Sequence, residues 1–318
     1  MSLSSKLFIC VQKQDIPGVI CELNDPNTKV DRGGARQKFS YQETPLQLAV
    51  ESDSKKIVEL LINAGANVNV TSATGRWTPL HVVASRGVSC DMMRMLIAGG
   101  ADIEAQDVHG ETPLFNAYGN GVELLLVEGA NIDAVNHGGI TPLMSAASTG
   151  EVKVVEILLA HHAVVDAKDL RGETALKHAV VAGDWQIVEI LLAHKADVNA
   201  RDKRGFTSLM HLAHNYGTFR YRHHVGMQMA IAMMLLKFGA DIFATALGQT
   251  ALTLSVRPSD HNLENFLRLE MDRHKFTAFA MASDERLGKG SQAAKLSAQE
   301  ILEMVWKLSH DKGYADTC

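Results

Sequence analysis

The sequence predicts an all-α solenoid of stacked helix-turn-helix repeats with short β-hairpin loops between them, about seven repeats behind a degenerate N-terminal cap. Three observations carry this expectation. A Thr-x-Leu triplet recurs at Thr44-Pro45-Leu46, Thr78-Pro79-Leu80, Thr112-Pro113-Leu114, Thr141-Pro142-Leu143, Thr174-Ala175-Leu176, Thr207-Ser208-Leu209 and Thr250-Ala251-Leu252, at spacings of 34, 34, 29, 33, 33 and 43 residues. A second signature follows most of the triplets in fixed phase: Gly65-Ala66-Asn67, Gly100-Ala101-Asp102, Gly129-Ala130-Asn131, Ala196-Asp197 and Gly239-Ala240-Asp241. Between the two lie apolar residues at helical spacing, such as Val154, Val155, Ile157, Leu158 and Leu159, then Ile187, Val188, Ile190, Leu191 and Leu192.

Each part of the pattern has a mechanical reason. Thr supplies a side-chain oxygen that caps a helix start, and Pro fits the first helical position because its missing N–H has no partner there anyway. Small residues after the triplet, such as Ala49, Ala146 and Ala147, let this inner helix lie close to its neighbours. The outer helix buries one apolar face between repeats. Gly65, Gly100, Gly129 and Gly239 stand where a helix ends in a left-handed residue, and His162 and Lys195 replace Gly in two repeats. Those two predict a costlier backbone or a different cap.

On these residues the chain resembles the ankyrin family, whose repeat of about 33 residues carries a T-P-L-H-x-A signature, seen here as Thr78-Pro79-Leu80-His81. The resemblance covers residues 3–280. It implies repeats at 3–30, 39–71, 72–106, 107–135, 136–168, 169–201, 202–245 and 246–280, with a Gly-rich, charged linker from Asp31 to Lys38 after the cap. Residues 281–318 form a tail.

Two repeats depart from the pattern. The one at 107–135 is short, with Gly119-Asn120-Gly121 where the inter-helix turn belongs, so a helical turn is expected to be lost, through drift or as a change in curvature. The one at 202–245 has an insertion at 218–228 carrying Arg220, Tyr221 and Arg222. That loop is either a partner contact or a solvated surface.

The formal charge of −5 gives no general attraction to phosphate backbones or anionic lipid. No apolar run approaches the roughly 20 residues of a membrane span, and the start has neither a long apolar run nor a cleavage site, so the protein is expected to be intracellular, cytoplasmic and/or nuclear, and not secreted. Cys10, Cys21, Cys90 and Cys318 show no CxxC spacing and read as reduced thiols. Phosphate-binding, nucleophile-elbow and metalloprotease motifs are all missing. His211 and His214 share a helix face, but no carboxylate cluster is evident beside them, and His161 and His194 lie a repeat apart. No metal site, cofactor, small-molecule substrate, nucleic acid or catalytic role is expected.

A non-catalytic scaffold, adaptor or structural subunit for a protein partner remains. In the resembled family the hairpin tips project toward the partner beside the inner helices. From 168 to 224 the chain holds nine Lys/Arg against six Asp/Glu, net +3, and the remainder carries −8. This asymmetry is either a docking cue or a solvated charged edge. The tip candidates are Lys168, Arg171, Arg201, Lys203 and Arg204. The inner-helix candidates are Glu51, Ser85, Arg86, Ser148, Thr149, His214 and Asn215. The resemblance also implies hydroxylation of loop asparagines such as Asn69 and Asn199.

In the tail, Ser297-Ala298-Gln299-Glu300 forms a capping box before a short amphipathic helix at 297–309, with Ile301, Leu302, Val305 and Leu308 on one face. So short a helix must dock. It either caps the last repeat or binds a ubiquitin-ligase adaptor, since it resembles the opening helix of a truncated F-box; Ala280 to Ser291 resembles tails of algal and other protist ankyrin proteins.

Overall fold

Thr44 shows how a repeat begins. Its hydroxyl accepts the Gln47 N–H (3.2 Å) while the Gln47 side-chain oxygen accepts the Thr44 N–H (2.9 Å), closing a capping box that starts α3, Pro45–Glu51. Thr78 and His81 form the same box at the start of α5, Pro79–Arg86. The device is not universal. The buried hydroxyls of Thr112 and Thr174 have no hydrogen-bond partner. At Thr112 the Phe115 N–H is taken by the Thr112 carbonyl instead (3.0 Å), the i→i+3 bond of a 3₁₀ turn.

The computed structural model describes residues 6–31, 34–35, 42–72, 75–87, 90–215, 225–255 and 263–272. The chain divides into two compact units, Met1–Pro142 with Ala160–Ala163, and Leu143–Leu159 with Val164–Cys318. In the first unit, the helix pair α1 (Lys6–Gln12) and α2 (Ile16–Leu23) is followed by a two-residue antiparallel pairing of β1 (Gly34–Ala35) with β2 (Gln42–Glu43). Part of the predicted linker is therefore a strand, β1, whose partner β2 leads into Thr44. Then come α3 with α4 (Lys55–Asn63), α5 with α6 (Cys90–Ala98), and the 3₁₀ turn Pro113–Asn116 with α7 (Asn120–Val127). Inner helices pack in sequence, α1 on α3, α3 on α5 and α5 on the 3₁₀ turn; so do the outer ones, α2 on α4, α4 on α6 and α6 on α7.

The second unit holds most of α8 (Pro142–Thr149) and α9 (Val152–Ala160), then α10 (Ala175–Ala182), α11 (Trp185–Ala193), α12 (Ser208–Asn215), α13 (Val225–Lys237), α14 (Ala251–Ser255) and α15 at 263–272. Here α10 packs on α12, α12 on α14, and α11 on α13. Ala49, Ala84, Ala147, Ala179 and Ala213 are fully buried, as close approach of inner helices requires. Outer helices bury Val155 and Leu158, or Ile187, Val188 and Leu191, completely, each such side chain being worth about 1.5–3 kcal/mol of transfer free energy.

The shortened repeat keeps one 3₁₀ turn where its neighbours have an inner α-helix, so a helical turn is indeed lost. Its inter-helix connection is not where the sequence suggested. Asn120 and Gly121 belong to the first turn of α7, and the chain reverses at Ala117–Gly119. The insertion at 218–228 needs a similar correction, since Val225–Gln228 opens α13 and Gln228 is buried. Arg220, Tyr221 and Arg222, and the tail residues Ile301, Leu302, Val305 and Leu308, lie outside the described residues.

His162 and Lys195 take the left-handed conformation (φ 65° and 64°) that Gly129 takes elsewhere (φ 95°). No cap replaces the glycine, so the strain is accepted, at about 1 kcal/mol each. A Cβ on Gly129 would meet nothing within 4 Å, which isolates the backbone effect. Lys195→Gly is expected to raise stability by up to about 1 kcal/mol and Gly129→Ala to lower it by about as much, read as opposite shifts of the urea midpoint.

Candidate protein-binding surface

The hairpin tips are shaped by one side chain each. Asp169 Oδ1 accepts the backbone N–H groups of Arg171 and Glu173 (both 2.8 Å), and Asp202 Oδ1 accepts those of Arg204 (2.9 Å) and Phe206 (2.8 Å). Asp107 Oδ1 does the same for His109 and Glu111, and Asn136 Oδ1 for Gly138 and Ile140. The Asx side chain accepts the N–H groups two and four residues on, which the backbone bonds of the turn leave over. Sequence reasoning missed this role. The signal was present as Asp-x-x-Gly-x-Thr at Asp107, Asp169 and Asp202, with Asn136 in the fourth copy.

The second oxygen ties Asp169 and Asp202 to the inner helices, while Asp107 Oδ2 meets the Trp77 indole just before α5. In the second unit, Asp202 Oδ2 accepts from Lys177 Nζ (2.7 Å) and His211 Nε2 (2.9 Å), and Lys177 Nζ also donates to Glu173 Oε1 (2.7 Å). His178 Nε2 lies 3.3 Å from Asp169 Oδ2. The side chains of Lys177, Asp202 and Asp169 are only 5%, 3% and 1% exposed. Lys177 stands three residues after Thr174, where the first unit has His81. His81 accepts the Thr78 N–H on Nδ1 (3.2 Å), so its Nε2–H donates to the Glu111 carbonyl (3.0 Å) of the next tip. Both residues bridge to the following tip, one as a neutral ring and one as a cation.

This network overturns the expectation that no carboxylates accompany the histidines. Asp169, Glu173 and His178, and separately Glu173, Asp202 and His211, each bring ligand-type atoms within 4.8 Å of one another. In the second group the Lys177 ammonium lies against both carboxylates, and in the first it lies against Glu173.

Burial holds the His178 and His211 imidazoles below the usual range, and for His211 the nearby Lys177 charge adds to that. Burial alone would push the Asp202 carboxyl up, but bonds from Lys177, His211 and the Phe206 N–H more than offset it and hold it well below the carboxylate range.

The tip cations divide into ties and free ends. Lys168 Nζ donates to the Arg201 carbonyl (3.1 Å), and the Arg201 guanidinium donates to the carbonyls of Gly205 (3.1 Å) and Thr245 (2.8 Å), so both fasten neighbouring tips. The Lys203 N–H donates to the Arg171 carbonyl (2.9 Å), joining those two tips. Arg171, itself exposed, makes ion pairs with the buried Asp169 (3.5 Å) and with Glu173 (3.0 Å), Arg204 lies over the Phe206 ring (4.7 Å), and Lys203 is exposed.

The inner-helix candidates are more scattered. Glu51 and Arg86 meet in the first unit, the guanidinium donating to the Glu51 carbonyl. Ser85 bonds back to the Val82 carbonyl (3.0 Å), and Ser148 and Thr149 are exposed and bond back to the Ser145 carbonyl. His214 sits edge-on to Phe206 at 6.5 Å, near Arg204, and Asn215 ends α12 half-buried. Asn69 and Asn199 use both side-chain amide atoms to reach the next repeat: Asn69 with Gly100 O and Asp102 N, Asn199 with Gly239 O and Asp241 N. An enzyme modifying either must first draw the loop away.

Stacked helix pairs with Asx-braced tips define a repeat scaffold of the protein-binding class. A family model described as ankyrin repeats (3 copies) matches residues 46–121 and again 114–202. The chain belongs to the ankyrin-repeat family. It is 37% identical over 82 residues to human ankyrin repeat and SOCS box protein 9, covering 26% of this chain and 27% of that one. It is 39% identical over 75 residues to human ankyrin repeat and SOCS box protein 18 (24% and 16%), and 35% identical over 82 residues to alpha-latrotoxin-Lg1a of Latrodectus geometricus (26% and 6%). The chain thus spans little of these relatives' lengths. No helix among the described residues is long and apolar enough to cross a membrane.

Removing the ammonium from Lys177 leaves two buried carboxylates facing each other. Lys177→Met is expected to cost about 3–5 kcal/mol in urea unfolding, against less than about 0.5 kcal/mol for Lys203→Met at the exposed tip. The histidines set a pH dependence. Their folded pKa values lie below the ordinary value of about 6.5, so the unfolded chain binds more protons as pH falls through that value, and stability is lost on the acid side. Melting temperature is expected to drop between about pH 7 and 5, less so in His211→Gln, with a second loss below about pH 4 as Asp169 and Asp202 protonate.

Proposed function

We propose that the chain is a non-catalytic scaffold or adaptor, cytoplasmic and/or nuclear, that holds a protein partner on its hairpin tips and the adjoining inner-helix ends across a repeat array at 3–280. The observation that carries this reading is the inward fastening of Glu173 and Asp202 around Lys177 and of Asp169 beside His178, which leaves Arg171, Lys203 and Arg204 exposed on a braced frame. Preorganised surfaces of this kind lose little ordering entropy on binding.

A second reading is favoured by the two human relatives that carry a SOCS box beside their ankyrin repeats. In it the chain is a substrate receptor of a ubiquitin ligase, with the tail helix at 297–309 meeting the adaptor. Affinity purification of the full chain from its source cell, followed by mass spectrometry, tests both. A partner that is lost from a variant reversing Lys168, Arg171, Lys203 and Arg204 supports the scaffold; a chain that captures nothing sinks it. Deleting 292–318 is expected to lower stability with every partner retained if the tail is a cap. An intact fold that no longer captures a ligase adaptor supports the receptor instead.

A further inference from the structure

The tip row of the second unit has a chemistry that a charge count hides. Together, Asp169, Glu173, Lys177, Asp202, Arg171, Lys203 and Arg204 carry a net charge of only +1. The signs are separated in space. The three carboxylates point inward, with side chains 1%, 16% and 3% exposed, and are met by Lys177, the two imidazoles and backbone N–H groups. The three remaining cations are exposed, with Arg171 at 66%. It pairs with Asp169 at 3.5 Å and Glu173 at 3.0 Å, but both carboxylates are also met from inside, and its own guanidinium stays open to solvent and to a further carboxylate.

Two leucines flank these cations. Leu170 is 61% exposed on the first tip and Leu247 is 73% exposed on the third. Leu247 is also in the left-handed region (φ 53°), followed by Gly248 (φ 74°), in a tight turn closed by the Ala246–Gln249 pairing. Such a turn favours Asn or Gly at that position, and a bulky residue there is an outlier that calls for a reason. Folding gains nothing from a leucine held in solvent by a strained backbone. The three tips form one connected row through the Lys203 to Arg171 backbone bond and the Arg201 guanidinium, which donates to Gly205 and Thr245.

We propose that this row, Leu170, Arg171, Lys203, Arg204 and Leu247, docks an extended acidic segment of a partner protein, with apolar side chains seated on the two leucines. The proposal rests on the scaffold reading and names the partner's chemistry. Packed helices stack at 8–10 Å, so the outer two of three successive tips stand about 20 Å apart, the span of about six residues of extended chain. Even spacing keeps side chains on one face of a strand. The segment therefore has apolar residues six apart with acidic residues at the two same-face positions between them. Nucleic acid fits less well, because Phe206, the one aromatic residue within the three tips at 168–174, 201–207 and 245–250, is 2% exposed.

The test uses the full chain and a fluorescein-labelled synthetic peptide in a Ser/Thr background, with two leucines six residues apart and glutamates at the two even positions between them. Saturable binding in fluorescence anisotropy is expected, weakened at least tenfold by Lys203→Glu with Arg204→Glu and severalfold by Leu247→Asn. Leu247→Asn should hold or raise the melting temperature, so lost binding cannot be lost folding. No binding, equal binding by both variants, or tighter binding of single-stranded RNA or phosphatidylserine vesicles overturns the proposal. Affinity capture separates it from the broader reading. An identified partner retained in full by the charge-reversed variant overturns tip docking and leaves the scaffold standing, whereas a wild-type chain that captures nothing overturns the scaffold.

Discussion

Four hairpin tips hang on a carboxylate or amide oxygen that accepts two backbone N–H groups, at Asp107, Asn136, Asp169 and Asp202. Each tip closes backbone bonds of its own, such as the Asp169 N–H to the Glu173 carbonyl (3.0 Å) and the Gly172 N–H to the Asp169 carbonyl (2.9 Å), but these leave two N–H groups over, and buried N–H groups without partners are costly. Supplying the acceptor from the side chain fixes the loop, but it places a negative charge in a half-buried position. Much of the local sequence follows from neutralising that charge. In the first unit the Trp77 indole N–H approaches Asp107 Oδ2 (3.2 Å); in the second, Lys177 and His211 converge on Asp202.

The bridging position three residues after the triplet threonine then shapes the surface. His81 makes a neutral bond to the Glu111 carbonyl, and no charge is drawn inward. Lys177 brings an ammonium into contact with Glu173 and Asp202. With those carboxylates matched from inside, the basic residues of the tips are not required as their counter-ions. Lys203 and Arg204 are left to face solvent for that reason, and the Arg171 guanidinium stays open to solvent beside its pairs.

The helix pairs were legible in the sequence because their signals are local: a threonine cap, a proline at the first helical position and apolar residues at helical spacing. The left-handed His162 and Lys195 were legible for the same reason, as substitutions at a position whose backbone is dictated by the helix end. The start of α7 was misread because Gly119-Asn120-Gly121 looks like a turn, whereas Gly121 is buried against Met93 and continues the helix. The charge network was not legible at all. A count of Lys and Arg against Asp and Glu carries no burial, and Lys177, His178 and His211 contact carboxylates up to 25 residues away in sequence. Of the tip candidates, Lys168 and Arg201 prove to be fasteners, a distinction that composition cannot draw.

That distinction bears on how such a surface can change. Fasteners and free ends alternate along the same short loops, so a substitution at Arg201 disturbs two tips at once, while one at Arg204 disturbs only the face it presents. The frame resists alteration because its ion pairs are buried, and breaking one leaves a charge without a partner. The outward residues are under no such constraint, since an exposed side chain on a braced turn changes folding free energy little. Partner choice can therefore be rewritten at Leu170, Lys203, Arg204 and Leu247 without touching the interactions that hold the tips in place. Of these four, Leu247 is the one whose strained backbone favours a replacement.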